Sequence, residues 1–275
     1  DGIFFQYDLR DYERCLEVTK GVDIVVHLAD IVAGINFVFS NELFLFRANS
    51  QINSNILSAA IENRVEQFLY VGTACSYPQD KQASICTIPL RECDAYPANP
   101  ESSYGWSKLM GEYECQLAEK EGKISVSILR LHNVYGPPCE LSIERSQVIP
   151  ALCRKAVLHP HEEFVVWGSG SQRRGFVYVD DVVSGIKASL EHGRGQGVIQ
   201  IGPTESHSIA DIATRIVRAS GKEIPICFDP SKPEGDKDRF ADLTKARKVL
   251  QWKPEVSLDN GIINTYDWVN KELTR

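Results

Sequence analysis

Tyr104 and Lys108, in "SSYGWSK", stand four residues apart, a spacing that puts both side chains on one face of a helix. A tyrosine hydroxyl ordinarily ionises near pH ~10, and a cation held beside it favours the phenolate. That moves a phenol toward use as a general base at neutral pH. Such a base needs a hydroxyl donor to orient its substrate, and "YVGTACSYP" (70–78) offers Thr73 and Ser76 just past an apolar strand. Open α/β sheets place their ligand crevices at that end of the strands. Each piece also has a plainer reading. Tyr-x-x-x-Lys occurs by chance in many helices, and Thr73 alone reads equally well as a strand-end turn residue.

The elements that must position these groups alternate along the chain. Runs rich in Val, Ile, Phe and Leu at 2–8, 22–29, 67–74, 124–134 and 197–202 read as strands apolar on both faces, as a sheet covered by helices on both sides requires. Helical patterns occupy 11–20, 41–63, 102–121 and 179–193. In the second, Ile52, Ile56, Leu57, Ala60 and Ile61 recur at helical spacing. The alternation predicts an α/β fold with a doubly wound parallel sheet. After Tyr135 the texture becomes Pro-rich and irregular. Residues 1–136 plus 176–202 are expected to form the sheet domain, and 137–175 plus 203–275 a smaller α+β lobe.

Composition narrows the function classes. In 275 residues, 43% are hydrophobic and 24% charged, as in a soluble globular protein. A net charge of -7 argues against a nucleic-acid or anionic-membrane surface, so an anionic ligand would need a local cluster of Arg or Lys. Eight cysteines (15, 75, 86, 93, 115, 139, 153 and 227) are scattered without C-x-x-C spacing. They read as reduced thiols of a cytoplasmic protein, with neither a disulfide frame nor a metal site. No apolar run is long enough to span a bilayer, so no membrane partner is expected.

Taken together and in order, "YDLRD" (7–11), "VVHLAD" (25–30), "YVGTACSYP", "DAYPANPESSYGWSK" (94–108), "LRLHNVYGP" (129–137), "VWGSGSQRRGFVYVDDVV" (166–183) and "DRFADLTKARKVLQWKP" (238–254) resemble the extended short-chain dehydrogenase/reductase family, the NAD-dependent nucleotide-sugar epimerases and dehydratases. The likeness runs over nearly the whole chain and is greatest to the branch acting on GDP-mannose. It implies a Rossmann-like fold, a tightly held NAD, a nucleotide-diphosphate sugar as substrate, a transient 4-keto sugar and a homodimer. It implies that Tyr104 takes a proton from a sugar hydroxyl, that Lys108 lowers the tyrosine pKa and holds the nicotinamide ribose, and that Thr73 bonds the reacting oxygen. Cys75 matches a cysteine that acts as acid and base at the ring carbons; a small buried filler is its other reading. Asn133, Arg174 and Arg239 match contacts to the sugar and diphosphate, which guanidinium forks suit. Asp8, Arg10 and Ala29 match residues along the cofactor.

Two departures accompany the likeness. Where the branch carries a lysine partner for its cysteine, an ungapped alignment puts Gln147, and an amide does not serve as an acid or base. Nothing before "YDLRD" supplies the strand, Gly-rich turn and helix that receive a pyrophosphate. The first β-α-β unit is therefore expected to be missing, residues 2–8 to lack a sheet neighbour, and the 22–29 strand to be an open apolar edge. On that reading NAD is not bound normally, and Asp8 and Arg10 have lost their ligand.

Overall fold

The computed structural model describes residues 2–32, 34–85, 88–232, 235 and 237–275. Cys86 lies outside them. In chain order the elements are α1 (Tyr12–Thr19), β1 (Ile24–His27), α2 (Ile35–Ser40), α3 (Glu42–Glu62), β2 (Gln67–Thr73), α4 (Ser103–Lys120), β3 (Ser125–Leu131), β4 (Asn133–Tyr135), α5 (Val148–Leu158), β5 (Val165–Trp167), β6 (Arg173–Arg174), β7 (Phe176–Tyr178), α6 (Val179–His192), β8 (Val198–Ile201), β9 (His207–Ser208), α7 (Ile209–Ser220), β10 (Cys227–Asp229), α8 (Thr244–Leu250) and α9 (Leu258–Leu273). Short 3-10 turns at Ala74–Ser76, Gln79–Gln82 and Glu92–Ala95 join β2 to α4.

The main sheet has the order β1-β2-β3-β8, parallel throughout. Its helices lie on both faces because strand side chains alternate. Phe68 and Tyr70 of β2 point into a core with Ile56, Leu57 and Ala60 of α3 and Cys115 of α4. Leu69 and Val71 point the other way, into a core with Val182 of α6 and Ala246 and Leu250 of α8. A third core joins Ile149, Leu152 and Cys153 of α5 to Ile212 and Ile216 of α7 and Ile262 and Tyr266 of α9. Trp252 is buried beside α6, its indole N–H donating to the Asp181 carbonyl at 3.0 Å.

Residues 2–8 do not form the strand expected from their composition. They run without regular structure, with Ile3 and Phe4 more than four-fifths exposed. A strand exists only through its ladder of hydrogen bonds, and among the described residues this segment has no neighbour in the sheet. The exposed edge at β1 does follow expectation. Among the described residues β1 pairs with β2 alone, and Ile24, Val26 and Leu28 are exposed along it.

Close packing of α4 on the sheet fixes the site. At Gly111 a Cβ would run into the Tyr70 hydroxyl, and at Gly105 into the Cys75 carbonyl oxygen. Only glycine lets the helix settle there. Beneath it, Arg130 of β3 and Glu112 of α4 form a fully buried pair at 2.5 Å. Gly72 leaves room for the Glu112 carboxylate.

Candidate active site at the strand ends

Ser102 begins α4, its hydroxyl accepting the Gly105 N–H at 3.2 Å, and the first turns of the helix present Tyr104 and Lys108 side by side. Both reach one carboxylate oxygen. The Tyr104 hydroxyl donates to Asp30 Oδ2 at 2.9 Å, and Lys108 Nζ lies 3.3 Å from the same atom. Asp30 follows β1, where sequence reasoning singled out Ala29 but not its neighbour. Ala29 itself is exposed. Asn49 of α3, fully buried, clasps the next residue: its Oδ1 accepts the Ile31 N–H at 2.7 Å and its Nδ2 donates to the Ile31 carbonyl at 3.0 Å.

One electrostatic expectation is corrected. The Tyr104 phenol is pushed well above its usual range, first by burial and then by the negative charge of Asp30. Lys108 does not act on the phenol alone, because its ammonium is already matched by the carboxylate that the phenol also faces. Tyr104 packs against Val38 of α2, Leu45 of α3 and Cys75.

Thr73 ends β2 and caps the following turn, its Oγ1 accepting the Cys75 N–H at 3.2 Å. That turn holds Cys75 half-buried beside Tyr104. Ser76, the other hydroxyl offered by the sequence, is fully buried and donates to the Gly105 carbonyl at 3.4 Å, so it braces the turn. Arg239 enters from the chain's far end. Its Nη1 donates to Gln82 Oε1 at 3.1 Å and lies 3.8 Å from Cys75 Sγ, while Nη2 donates to Asn133 Oδ1 at 3.3 Å. Arg174 is linked through the backbone, since the Gly175 N–H donates to the Arg239 carbonyl at 2.7 Å. The fold thus gathers Thr73, Cys75, Tyr104, Lys108, Asn133 and Arg239 at the C-terminal ends of the sheet, with Arg174 adjoining. Gln147 sits exposed at the start of α5.

Asp8 and Arg10 stand apart from this group. They bond each other at 2.5 Å, and the Arg10 guanidinium and N–H hold the exposed Asp8 carboxyl down at about 2. The residues at the strand ends suit the nicotinamide half of a dinucleotide, with an ammonium for ribose hydroxyls and a phenol at the reacting end. Gly168 and Gly170 lie between β5 and β6, not between a strand and a helix, and so do not make a pyrophosphate turn. Among the described residues no group of three or more His, Cys, Asp or Glu could hold a metal ion, and no helix is long and apolar enough to cross a membrane.

Comparison with known proteins agrees with this geometry. Residues 1–202 match the NAD dependent epimerase/dehydratase family. The GDP-mannose 3,5-epimerase of Arabidopsis thaliana is 35% identical over 272 residues, covering 99% of this chain and 71% of that protein. The GDP-L-fucose synthase 1 of the same plant is 31% identical, covering 96% of this chain and 81% of that protein. Among solved structures, the UDP-glucose 4-epimerase of Thermotoga maritima with UDP-glucose superposes with a TM-score of 0.90 at 23% identity, covering 99% of this chain and 85% of that one. A UDP-glucose 4-epimerase from Thermus thermophilus in complex with NAD gives 0.85 at 22% identity, covering 97% and 84%. A parallel Rossmann sheet, a tyrosine and lysine converging at its strand ends and a match across most of the sequence place the chain in the NAD-dependent epimerase/dehydratase family, whose members act on nucleotide sugars.

Proposed function

We propose that this protein epimerises a nucleotide-diphosphate sugar of GDP-mannose type through a transient 4-keto intermediate. The observation that carries the reading is the meeting of Tyr104 and Lys108 with Thr73, Cys75, Asn133 and Arg239 within one cluster. Bound NAD would supply the hydride acceptor, and later the donor, for the sugar. Lys108 holds a ribose hydroxyl of that cofactor, Thr73 orients the reacting sugar oxygen, and Tyr104 manages its proton. The ketone acidifies the neighbouring C–H bonds, and Cys75, beside Tyr104, exchanges a proton there. Asn133, Arg174 and Arg239 hold the sugar and diphosphate; Arg239 supplies the cation that a chain of net charge -7 must concentrate locally. Residues 1–136 plus 176–202 serve as the cofactor domain and the remainder as the substrate lobe.

Gln147 favours a second reading, a relative that binds the sugar nucleotide and inverts one carbon or none, because the amide at that exposed position does not titrate. Trp106, Met110, Tyr113 and Leu117 form an exposed apolar stripe on α4, which supports a homodimer through this helix. The free state of all described cysteines supports a reducing, cytoplasmic setting.

Incubation with GDP-, UDP- and dTDP-sugars in deuterated water tests the function. Mass gain at a ring carbon with a changed stereocentre is the expected result. Sugars recovered without deuterium and without inversion, from protein that binds them, would establish the second reading instead.

A further inference from the structure

We propose that Asp30 is the proton acceptor behind Tyr104: as the phenol takes the proton of a substrate hydroxyl, it passes its own to Asp30 Oδ2. This rests on the hydride-transfer reading above and gives its proton a destination.

The geometry is already that of a relay. Among the described residues, Asp30 is the acceptor that the structure gives the Tyr104 hydroxyl, at 2.9 Å, inside hydrogen-bond range and toward its long end for an O–H donor. The backbone beside it is anchored to α3 by the Asn49 clasp on Ile31. Its side chain keeps 15% of its surface open, against 3% for Lys108. Lys108, 3.3 Å from the same oxygen, balances the carboxylate charge before the transfer.

Chemistry requires some such partner. Burial and the neighbouring Asp30 hold Tyr104 as a neutral phenol well past neutral pH. A neutral phenol can accept a proton only by releasing the one it carries. The other groups facing it do not take that proton. Cys75 packs against the ring, Tyr70 is a second buried phenol raised far above its ordinary range, and His27, pushed down to about 4 by burial, spends Nε2 on Asn53 Oδ1. Val38 and Leu45, from α2 and α3, are apolar. The sugar O–H bond and the phenolic O–H bond break. New O–H bonds form on Tyr104 and on Asp30, while the hydride leaves carbon for the nicotinamide. Return of the hydride runs both protons back.

The test begins without cofactor or substrate. In protein carrying carbon-13 at tyrosine Cζ, with Tyr104 assigned by its loss in Tyr104→Phe, Asp30→Asn should bring the Tyr104 titration down by at least about one pH unit. An unmoved titration overturns the coupling. In the hydride-transfer half-reaction with NAD and the sugar nucleotide that the deuterium panel selects, Asp30→Asn should be slowed at least about 100-fold at neutral pH and recover as the solution becomes alkaline. The solvent isotope effect should fall from that of two protons in flight to that of one. Parent-like rate and isotope effect at neutral pH overturn the relay while leaving the hydride-transfer reading intact. If Asp30→Asn does not fold, Asp30→Glu carries the test: it should keep the parent pH profile with a rate loss of about tenfold, and a profile turned alkaline overturns the proposal. A parent that exchanges no deuterium with any sugar removes the hydride-transfer reading itself, and the relay with it.

Discussion

Arg239 donates to Asn133 Oδ1 at 3.3 Å, tying a residue near the end of the chain to the strand that leaves the sheet. The same guanidinium serves Gln82 and the Ala74 carbonyl, so one side chain clamps three segments around Cys75. Arg239→Lys keeps the charge but loses the fork. Its affinity for a nucleotide-diphosphate sugar should fall about tenfold by calorimetry, and its stability by about 1–3 kcal/mol, because buried acceptors lose their donors. Unchanged affinity would leave Arg239 a purely structural clamp.

Tyr104→Phe removes the hydroxyl that donates to Asp30 while keeping the ring that packs with Val38 and Leu45. Oxidation of the sugar, followed as bound-cofactor absorbance, should drop by about 100- to 10,000-fold. Sugar-nucleotide affinity should stay within about twofold, since the phenol acts on the reacting oxygen alone. Turnover at the parent rate would take Tyr104 out of the mechanism.

Much of this arrangement is legible in the sequence. The alternation in β2 is written in "FLYV", whose four apolar residues serve two faces, and the i, i+4 spacing of Tyr104 and Lys108 survives intact. The "GIFFQYD" run misleads because composition describes what a strand would bury and says nothing of whether a neighbour exists to pair with it. Asp30 escapes notice for a related reason. Its partner Tyr104 is 74 residues away, and no periodicity links a loop carboxylate to a helix that far along the chain. Its place just past an apolar strand, where parallel sheets put their ligands, was the available signal. The upward direction of the Tyr104 shift escapes the sequence for two reasons: burial of the phenol, its first cause, is set by packing from α2 and α3, and Asp30, its second, comes from a distant loop.

Cys75→Ala separates the two chemistries assigned to the site. The substitution leaves the Thr73 cap on the turn untouched, because that bond uses the backbone N–H. Sugar oxidation should persist within about threefold, while incorporation of solvent deuterium at the ring carbons should fall by at least about 100-fold. Deuterium entering at the parent rate would return Cys75 to a packing role.

The α4 stripe makes a prediction about assembly. Met110 is 42% exposed, flanked by Trp106 and Tyr113 on the same face. Met110→Lys would set a charge in the centre of an apolar contact, where an unpaired ammonium is costly to bury. Light scattering should give a dimer for the parent and a monomer for the variant, with unchanged helix content by circular dichroism. A parent that is monomeric at all concentrations would rule out this interface.

Two histidines buried in their neutral form contribute to the loss of stability in acid. Burial lowers His27 to about 4, against an opposing bond from Asn53, and lowers His132 to about 3, against one from Gln200. An unfolded histidine titrates near ~6.5 and so binds its proton first as pH falls. Between about 6.5 and these lowered values the unfolded chain holds more protons than the folded one, which makes stability rise with pH across that window. The contribution is complete above about pH 6.5 and is lost on acidification through about 4 and then 3, on the order of 3–5 kcal/mol per group. Urea denaturation should therefore show a midpoint that is flat above neutrality and falls steeply toward pH 4. His132→Gln can keep a polar contact with Gln200 but cannot take up the imidazole's proton, so it should flatten part of that fall. A variant that tracked the parent at every pH would show that His132 does not remain neutral in the folded core.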